Sequence, residues 1–154
     1  MLIKDTTSKD NVDEQAYIAQ ICICTRFRIA SRKITKIYDD ALRESGLSIS
    51  QFALLATLKF DGNTSLTDIA DSLGLDRTTL SRNLKPLERR GLISIKLAED
   101  KRKRLLFLSK PGNELLESAL PKWREVQNQT IIALGPEKQE ALITDLNLSI
   151  NIKS

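Results

Sequence analysis

Between Glu14 and Leu42, apolar side chains return every three or four residues, at positions 18, 21, 22, 25, 29, 30, 34, 37, 38, 41 and 42, with only Thr25 a marginal member. Arg28, Arg32, Lys33 and Lys36 fill the intervening face. Such spacing predicts one long amphipathic helix. Gly46 interrupts the pattern, and Ser48 followed three residues later by Gln51 reads as a capping box that opens a second helix through Phe60. Asp61-Gly62-Asn63 is a turn. Ser65 and Asp68 start a short helix ending at Gly74, and Asp76 caps another that runs to Arg90 and stops at Gly91. Leu92–Leu97 and Arg104–Leu108 read as two strands joined by the charged tip Ala98-Glu99-Asp100-Lys101-Arg102-Lys103. Pro111 sits where a first helical turn tolerates it, and that helix should reach about Leu134 with a kink or a split at Pro121. Gly135-Pro136 then begins a last helix to about Ile150, with Leu142, Ile143, Leu146 and Ile150 along one side. The expected fold is mainly α with a small β-ribbon (α+β): four helices, a two-stranded ribbon and two more helices.

Composition narrows what such a chain can do. The 154 residues suit a single domain, and 41% hydrophobic content is enough for a real core. The chain has no histidine, which excludes a Ser-His-Asp triad, a His-based zinc site and an imidazole switch. Its two cysteines, Cys22 and Cys24, make neither a disulfide framework nor a complete four-ligand zinc site. No Gly-rich phosphate loop or carboxylate cluster is present, so neither a catalytic centre, a metal nor a cofactor is expected. The opening stretch MLIKDTTSKDNVDE lacks the form of a signal peptide. No apolar run approaches the roughly 18 residues of a membrane helix. A cytoplasmic protein with no membrane partner is the expectation.

The net charge of +4 is unevenly spread. From Arg77 to Lys110 there are eleven basic residues against three acidic ones, a local charge of +8, and the remainder of the chain carries −4. A basic block in an acidic frame is the footprint of a polyanion partner, although a solvated lysine-rich surface would look the same on charge alone. Geometry separates the two. The segment from Leu66 to Leu92 has the form of a helix-turn-helix. With about 100° per residue, Leu80, Leu84 and Leu87 form one stripe on its second helix, while Thr78, Ser81, Arg82, Lys85 and Arg89 occupy the opposite arc. None of those five is acidic, whereas an ordinary exposed face interleaves Glu with Lys. The inventory, with Arg77 at the helix start, suits a helix laid in the major groove of double-stranded DNA. Pro86 should disturb the bond to the Arg82 carbonyl and bend this helix past its base-reading half. The ribbon tip, with Lys101, Arg102, Lys103 and Arg104, cannot bury its charge and would reach phosphates or an adjacent minor groove. Asp100 is either a turn residue or the carboxylate that orients Arg102.

At these residues the chain resembles the MarR family of winged helix-turn-helix transcriptional regulators, across essentially its whole length. GLDRTTLSRNLKPLERRGLI (74–93) is similar to the family's recognition-helix region, and DKRKRLLFLSKPG (100–112) to its wing signature. The resemblance implies a single domain over 1–154: a DNA-binding lobe at 48–110 and dimerisation helices at 14–44 and 111–152. It further implies a homodimer that represses transcription from a pseudo-palindrome, with half-sites about 34 Å apart. Thr78, Ser81 and Arg82 map to groove contacts and Arg102 to the wing arginine. Release from DNA would follow binding of a small, often phenolic ligand, or thiol oxidation.

Phe27, Tyr38 and Phe52 are candidate linings of an aromatic effector pocket, with ordinary core packing as the alternative. Cys22 and Cys24 are candidate redox residues. About 200° apart on a helix, they are poorly placed for an internal disulfide, which leaves sulfenic acid or a cross-subunit bridge. Arg26 and Arg28 would lower a thiol pKa, while Ile21 and Ile23 argue for an apolar setting and a structural cysteine. A winged-helix module for protein or RNA is the remaining alternative, disfavoured by the scarcity of aromatics for base stacking.

Overall fold

Leu54, Leu55, Leu58, Ile69, Leu87 and Leu106 are almost wholly removed from solvent and come from three helices and one strand. The computed structural model that places them describes residues 14, 17–18, 20–62, 64–97 and 104–152. The chain divides between Lys36 and Ile37 into two units. In the first, residues 17–18 and 20–21 are helical, and α1 (Ile23–Leu42) follows and runs on into the second unit. The helical bonds Cys22 N–H to Ile18 O (2.9 Å) and Arg26 N–H to Cys22 O (3.0 Å) bracket the junction. The long amphipathic element expected from Glu14 to Leu42 is therefore helical at every described residue except Cys22, where it is interrupted.

The second unit contains the end of α1, a 3₁₀ turn at Arg43–Ser45, α2 (Ile49–Asp61), β1 (Thr64–Ser65) and α3 (Leu66–Ser72). It continues through α4 (Arg77–Arg89), β2 (Ile93–Leu97), β3 (Arg104–Leu108) and α5 (Lys110–Leu134), and ends with a 3₁₀ turn at Pro136–Lys138 and α6 (Gln139–Ile150). The capping box is formed as read: Ser48 Oγ accepts from Gln51 N–H (3.2 Å) and Gln51 Oε1 accepts from Ser48 N–H (3.1 Å). Ser65 Oγ likewise accepts from Asp68 N–H at 3.1 Å and starts α3. Gly74, at φ +60°, follows α3 in the turn, where Leu75 N–H reaches back to Ala70 O (2.8 Å).

Three expectations need correction. The ribbon is a three-stranded antiparallel sheet in the order β1-β3-β2, because Thr64 and Ser65 pair with Leu106 and Leu105. Two residues have no alternation to read, so only the long-range partner reveals them as a strand. Pro121 does not split α5, which runs unbroken for 25 residues. The proline removes one donor, but Glu117, whose carbonyl loses that bond, is exposed, so water can take the acceptor. Finally, Pro136 opens a single 3₁₀ turn, and the α-helix proper starts at Gln139.

Between β2 and β3 the register is Ile93↔Leu108, Ile95↔Leu106 and Leu97↔Arg104. Side chains alternate across a sheet, so Ile93, Ile95, Leu106 and Leu108 share the core face while Ser94, Lys96, Leu105 and Phe107 share the other. Where β3 hands over to α5, Ser109 Oγ donates to Gly91 O (2.7 Å) and accepts from Gly112 N–H (3.0 Å), and Ser109 N–H donates to Leu92 O (3.1 Å). The end of α4 and the start of α5 are locked together here. Gly112 permits the approach: a Cβ at this position would stand 2.0 Å from Leu92 O and 2.9 Å from Leu108 Cδ1. Gly112→Ala must push two backbone segments apart, so it is expected to cost about 3 kcal/mol and lower the melting temperature by roughly 6–12 °C. Thermal denaturation at fixed protein concentration measures this.

Candidate nucleic-acid interface

α4 is held in place from both ends and along one side. At its start Asp76 Oδ1 accepts from Thr78 N–H (2.8 Å) and Thr79 N–H (2.9 Å), and Thr79 Oγ1 donates to Asp76 Oδ2 (2.7 Å). Bonds from the Thr79 amide and hydroxyl hold the Asp76 carboxyl below its ordinary pKa. Leu80, Leu84 and Leu87 are buried at 3%, 4% and 0% exposure. Arg77, Thr78, Ser81, Arg82, Lys85 and Arg89 are all exposed. The periodicity therefore separates a core stripe from a solvent-facing set of donors, and Glu88 is the one acid in the helix. Pro86 lies within α4 without ending it, and Arg90 N–H bonds to the Pro86 carbonyl at 3.1 Å.

On the ribbon, Arg104 is exposed at the start of β3, paired with Leu97. Asp100, Lys101, Arg102 and Lys103 lie outside the described residues. Lys96, which pattern reading did not single out, holds its Nζ 5.2 Å from the centroid of the Phe107 ring, a cation–π contact on the sheet's outer face. A second unforeseen feature is Arg90. Its Nη1 donates to Gly46 O at 2.7 Å and its Nη2 to Ser45 O at 3.4 Å. The signal was available: one residue after Arg89, Arg90 points about 100° away from the donor face.

Of the three aromatics, Tyr38 and Phe52 are core residues. Tyr38 Oη donates to Gln127 Oε1 at 2.5 Å, and Phe52 stacks on Trp123 with ring centroids 5.9 Å apart. Phe27 is 40% exposed and belongs to the other unit. A cleft of about 240 Å3 is lined by Asp40, Ala41, Glu44, Lys122, Glu125, Val126 and Gln129, none of them one of these aromatics. Lys122 and Glu125 pair across 3.5 Å at its edge. Cys22 is half-buried and Cys24 exposed, both as free thiols. Cys22 immediately precedes α1, and donation from the Thr25 side chain and backbone holds its thiol below the ordinary value. A helix start stabilises a thiolate in this way. Arg26, weighed as one source of such a shift against the apolar neighbours, donates from Nε to Gln20 O (2.9 Å).

Asp76 titrates in a direction that can be tested. Its folded-state pKa lies below the ordinary 3.8, so the cap stabilises the fold fully above that value and loses its effect as pH falls through the folded-state value. Asp76→Ala should lower the melting temperature at neutral pH by roughly 2–4 °C, and the gap to wild type should narrow as the pH falls below the ordinary 3.8. Melting curves of both proteins across that range check it.

Comparison with known proteins agrees with this arrangement. The MarR family model matches residues 47–103, from the capping box through the ribbon tip. The transcriptional regulator SarZ of Staphylococcus epidermidis is 26% identical over 134 residues, covering 86% of this chain and 88% of SarZ. The organic hydroperoxide resistance transcriptional regulator of Bacillus subtilis is 31% identical over 99 residues, 64% of this chain and 67% of that protein. Among solved structures, the M. tuberculosis transcriptional regulator MosR in complex with DNA superposes with a TM-score of 0.71 at 31% identity, covering 85% of this chain and 99% of MosR. By fold and by sequence, the chain belongs to the MarR family of winged-helix, DNA-binding transcriptional regulators.

Proposed function

We propose that the protein is a homodimeric repressor that binds a pseudo-palindromic operator in double-stranded DNA and leaves it when a small ligand binds. The observation that carries the DNA half is the exposed face of α4, six donor-bearing residues over a buried leucine stripe with no acid among them. In this reading Thr78, Ser81 and Arg82 meet base edges in the major groove while Arg77, Lys85 and Arg89 meet phosphates. Lys101, Arg102, Lys103 and Arg104 follow the backbone into the neighbouring minor groove, with Asp100 orienting Arg102. The setting is the cytoplasm, where the chromosome of a bacterial regulator lies.

Two helical segments support the dimer. α6 has no buried residue along its 12 positions, and Ile143, Leu148 and Ile150 are 52%, 65% and 78% exposed. An isolated helix of that length is marginal in water. Near the other terminus Ile18, Ile21 and Ile23 are 54%, 53% and 71% exposed. Segments 14–44 and 111–152 thus carry apolar surface that a second copy would cover. Sedimentation equilibrium should give twice the 17.3 kDa chain mass. A monomer at micromolar concentration would rule the dimer out.

For release, a small aromatic or phenolic ligand is the first reading, tested by loss of DNA binding in a phenolic-ligand series. One observation favours a second trigger. The lowered Cys22 thiol is a ready nucleophile for a hydroperoxide, and the similar Bacillus protein is named for organic hydroperoxide resistance. The thiolate would take one oxygen to give sulfenic acid while the peroxide leaves as an alcohol. Cys22→Ser should abolish any peroxide-driven release and leave ligand-driven release intact; Cys24→Ser separates the two thiols.

Salt dependence tests the DNA interface itself. For about eight phosphate contacts, log K should fall against log salt with a slope near −7. Arg82→Ala should relax base preference at one position per half-site, and Arg102→Ala should weaken binding without changing the oligomeric state. A flat salt response would defeat the reading.

A further inference from the structure

Arg90 lies in the basic block next to Arg89, and by charge it would be counted as another DNA contact. Its guanidinium is engaged elsewhere. Nη1 donates to the carbonyl of Gly46 at 2.7 Å and Nη2 to that of Ser45 at 3.4 Å. Those carbonyls belong to the corner between α1 and α2, where Gly46 adopts the left-handed φ of +64° and its N–H closes on Arg43 O (3.0 Å). Ser45 adds a bond of its own from Oγ to Leu42 O, at 2.6 Å. The corner is thus a fixed object with its carbonyls turned to a cation, as the end of a helix favours.

We propose that Arg90 is a positioning residue for base reading: it sets the roll of α4 about its own axis and does not touch DNA. The inference rests on α4 being the reading helix. A helix seated on a single stripe, here Leu80, Leu84 and Leu87, is held against translation but can rotate on that stripe. At a side-chain radius of about 6 Å, a roll of about 10° carries the opposite face by about 1 Å. Hydrogen bonds to base edges tolerate about half of that. The Asp76 cap restrains the start of α4, and the Ser109 bond to Gly91 restrains the chain just beyond its end. Arg90 alone among these reaches sideways, to a segment more than forty positions earlier in sequence. A planar, two-donor group suits that task, whereas an ammonium keeps the charge and loses the fork.

The test uses full-length protein and two probes, a duplex selected by the wild type from random-sequence DNA and poly(dI-dC). Arg90→Lys should keep its fold by circular dichroism and lose roughly tenfold in affinity for the selected duplex, the scale of a lost charged hydrogen bond. Its affinity for poly(dI-dC) and its salt slope should stay at wild-type values. Arg90→Gln removes the charge as well as the fork; a salt slope shallower by about 2 per dimer in that variant would make Arg90 a phosphate contact and overturn the proposal. So would an unchanged ratio between the two probes in either folded variant. Arg82→Ala and Lys85→Ala run alongside. If both leave binding unchanged, the assignment of α4 as reading helix has failed; if they weaken it and Arg90→Lys does not, only the positioning role has.

Discussion

A hydrogen atom in place of a methyl group at position 112 sets the geometry of the lobe. With the Leu92 carbonyl only 2.0 Å from where a Cβ would be, α5 starts in backbone contact with the chain that has just left α4. Ser109 then joins three segments at once, through bonds to Gly91, Leu92 and Gly112. α4, the sheet and the long helix α5 therefore meet in a few residues with little room to shift. Any rearrangement of α5 is transmitted to the exit of α4 with almost no slack.

Around that joint the helices divide the work by what their side chains can satisfy. α4 buries leucines on one stripe and leaves its cations without an ion-pair partner among the described residues, whereas Lys59 of α2 pairs with Glu117 of α5. Lys59 Nζ lies 2.7 Å from Glu117 Oε1, which also accepts from Asn113 at 3.1 Å, and these bonds hold the Glu117 carboxyl below its ordinary pKa. Exposed pairs of this type add little stability. Their value lies in consuming charge away from the DNA-facing side, so that the basic block stands out against a neutral or acidic background.

Much of this was legible in the chain, because the signals were local. Ser48-x-x-Gln51 and Asp76 specify helix starts through atoms three residues away, and the Leu80/Leu84/Leu87 stripe needs only the helical period. What escaped depended on distant partners. Thr64–Ser65 is a strand only because β3 lies alongside, and Pro121 is harmless only because its orphaned carbonyl is at the surface. At Cys22 the sequence sets nearby arginines against an apolar setting that favours a structural cysteine; the thiol is lowered instead by Thr25, since a helix start brings the residue three positions on within reach. Arg90 is the instructive case: its angle on the helical wheel excluded it from the donor face, but no local rule says which carbonyls a stray guanidinium will find.

The strand order has one more consequence. β3 is the central strand and β1 covers it for two residues, so among the described residues β2 has one edge without a partner strand, with Leu97 62% exposed at its end. An edge of that kind invites pairing with another copy and, from there, aggregation. Lys96, exposed on β2, places a like charge on any two such edges that approach. The positive charge that suits the ribbon to a polyanion thus also keeps two ribbons apart, and a variant stripped of it to weaken DNA binding would trade regulation for insolubility.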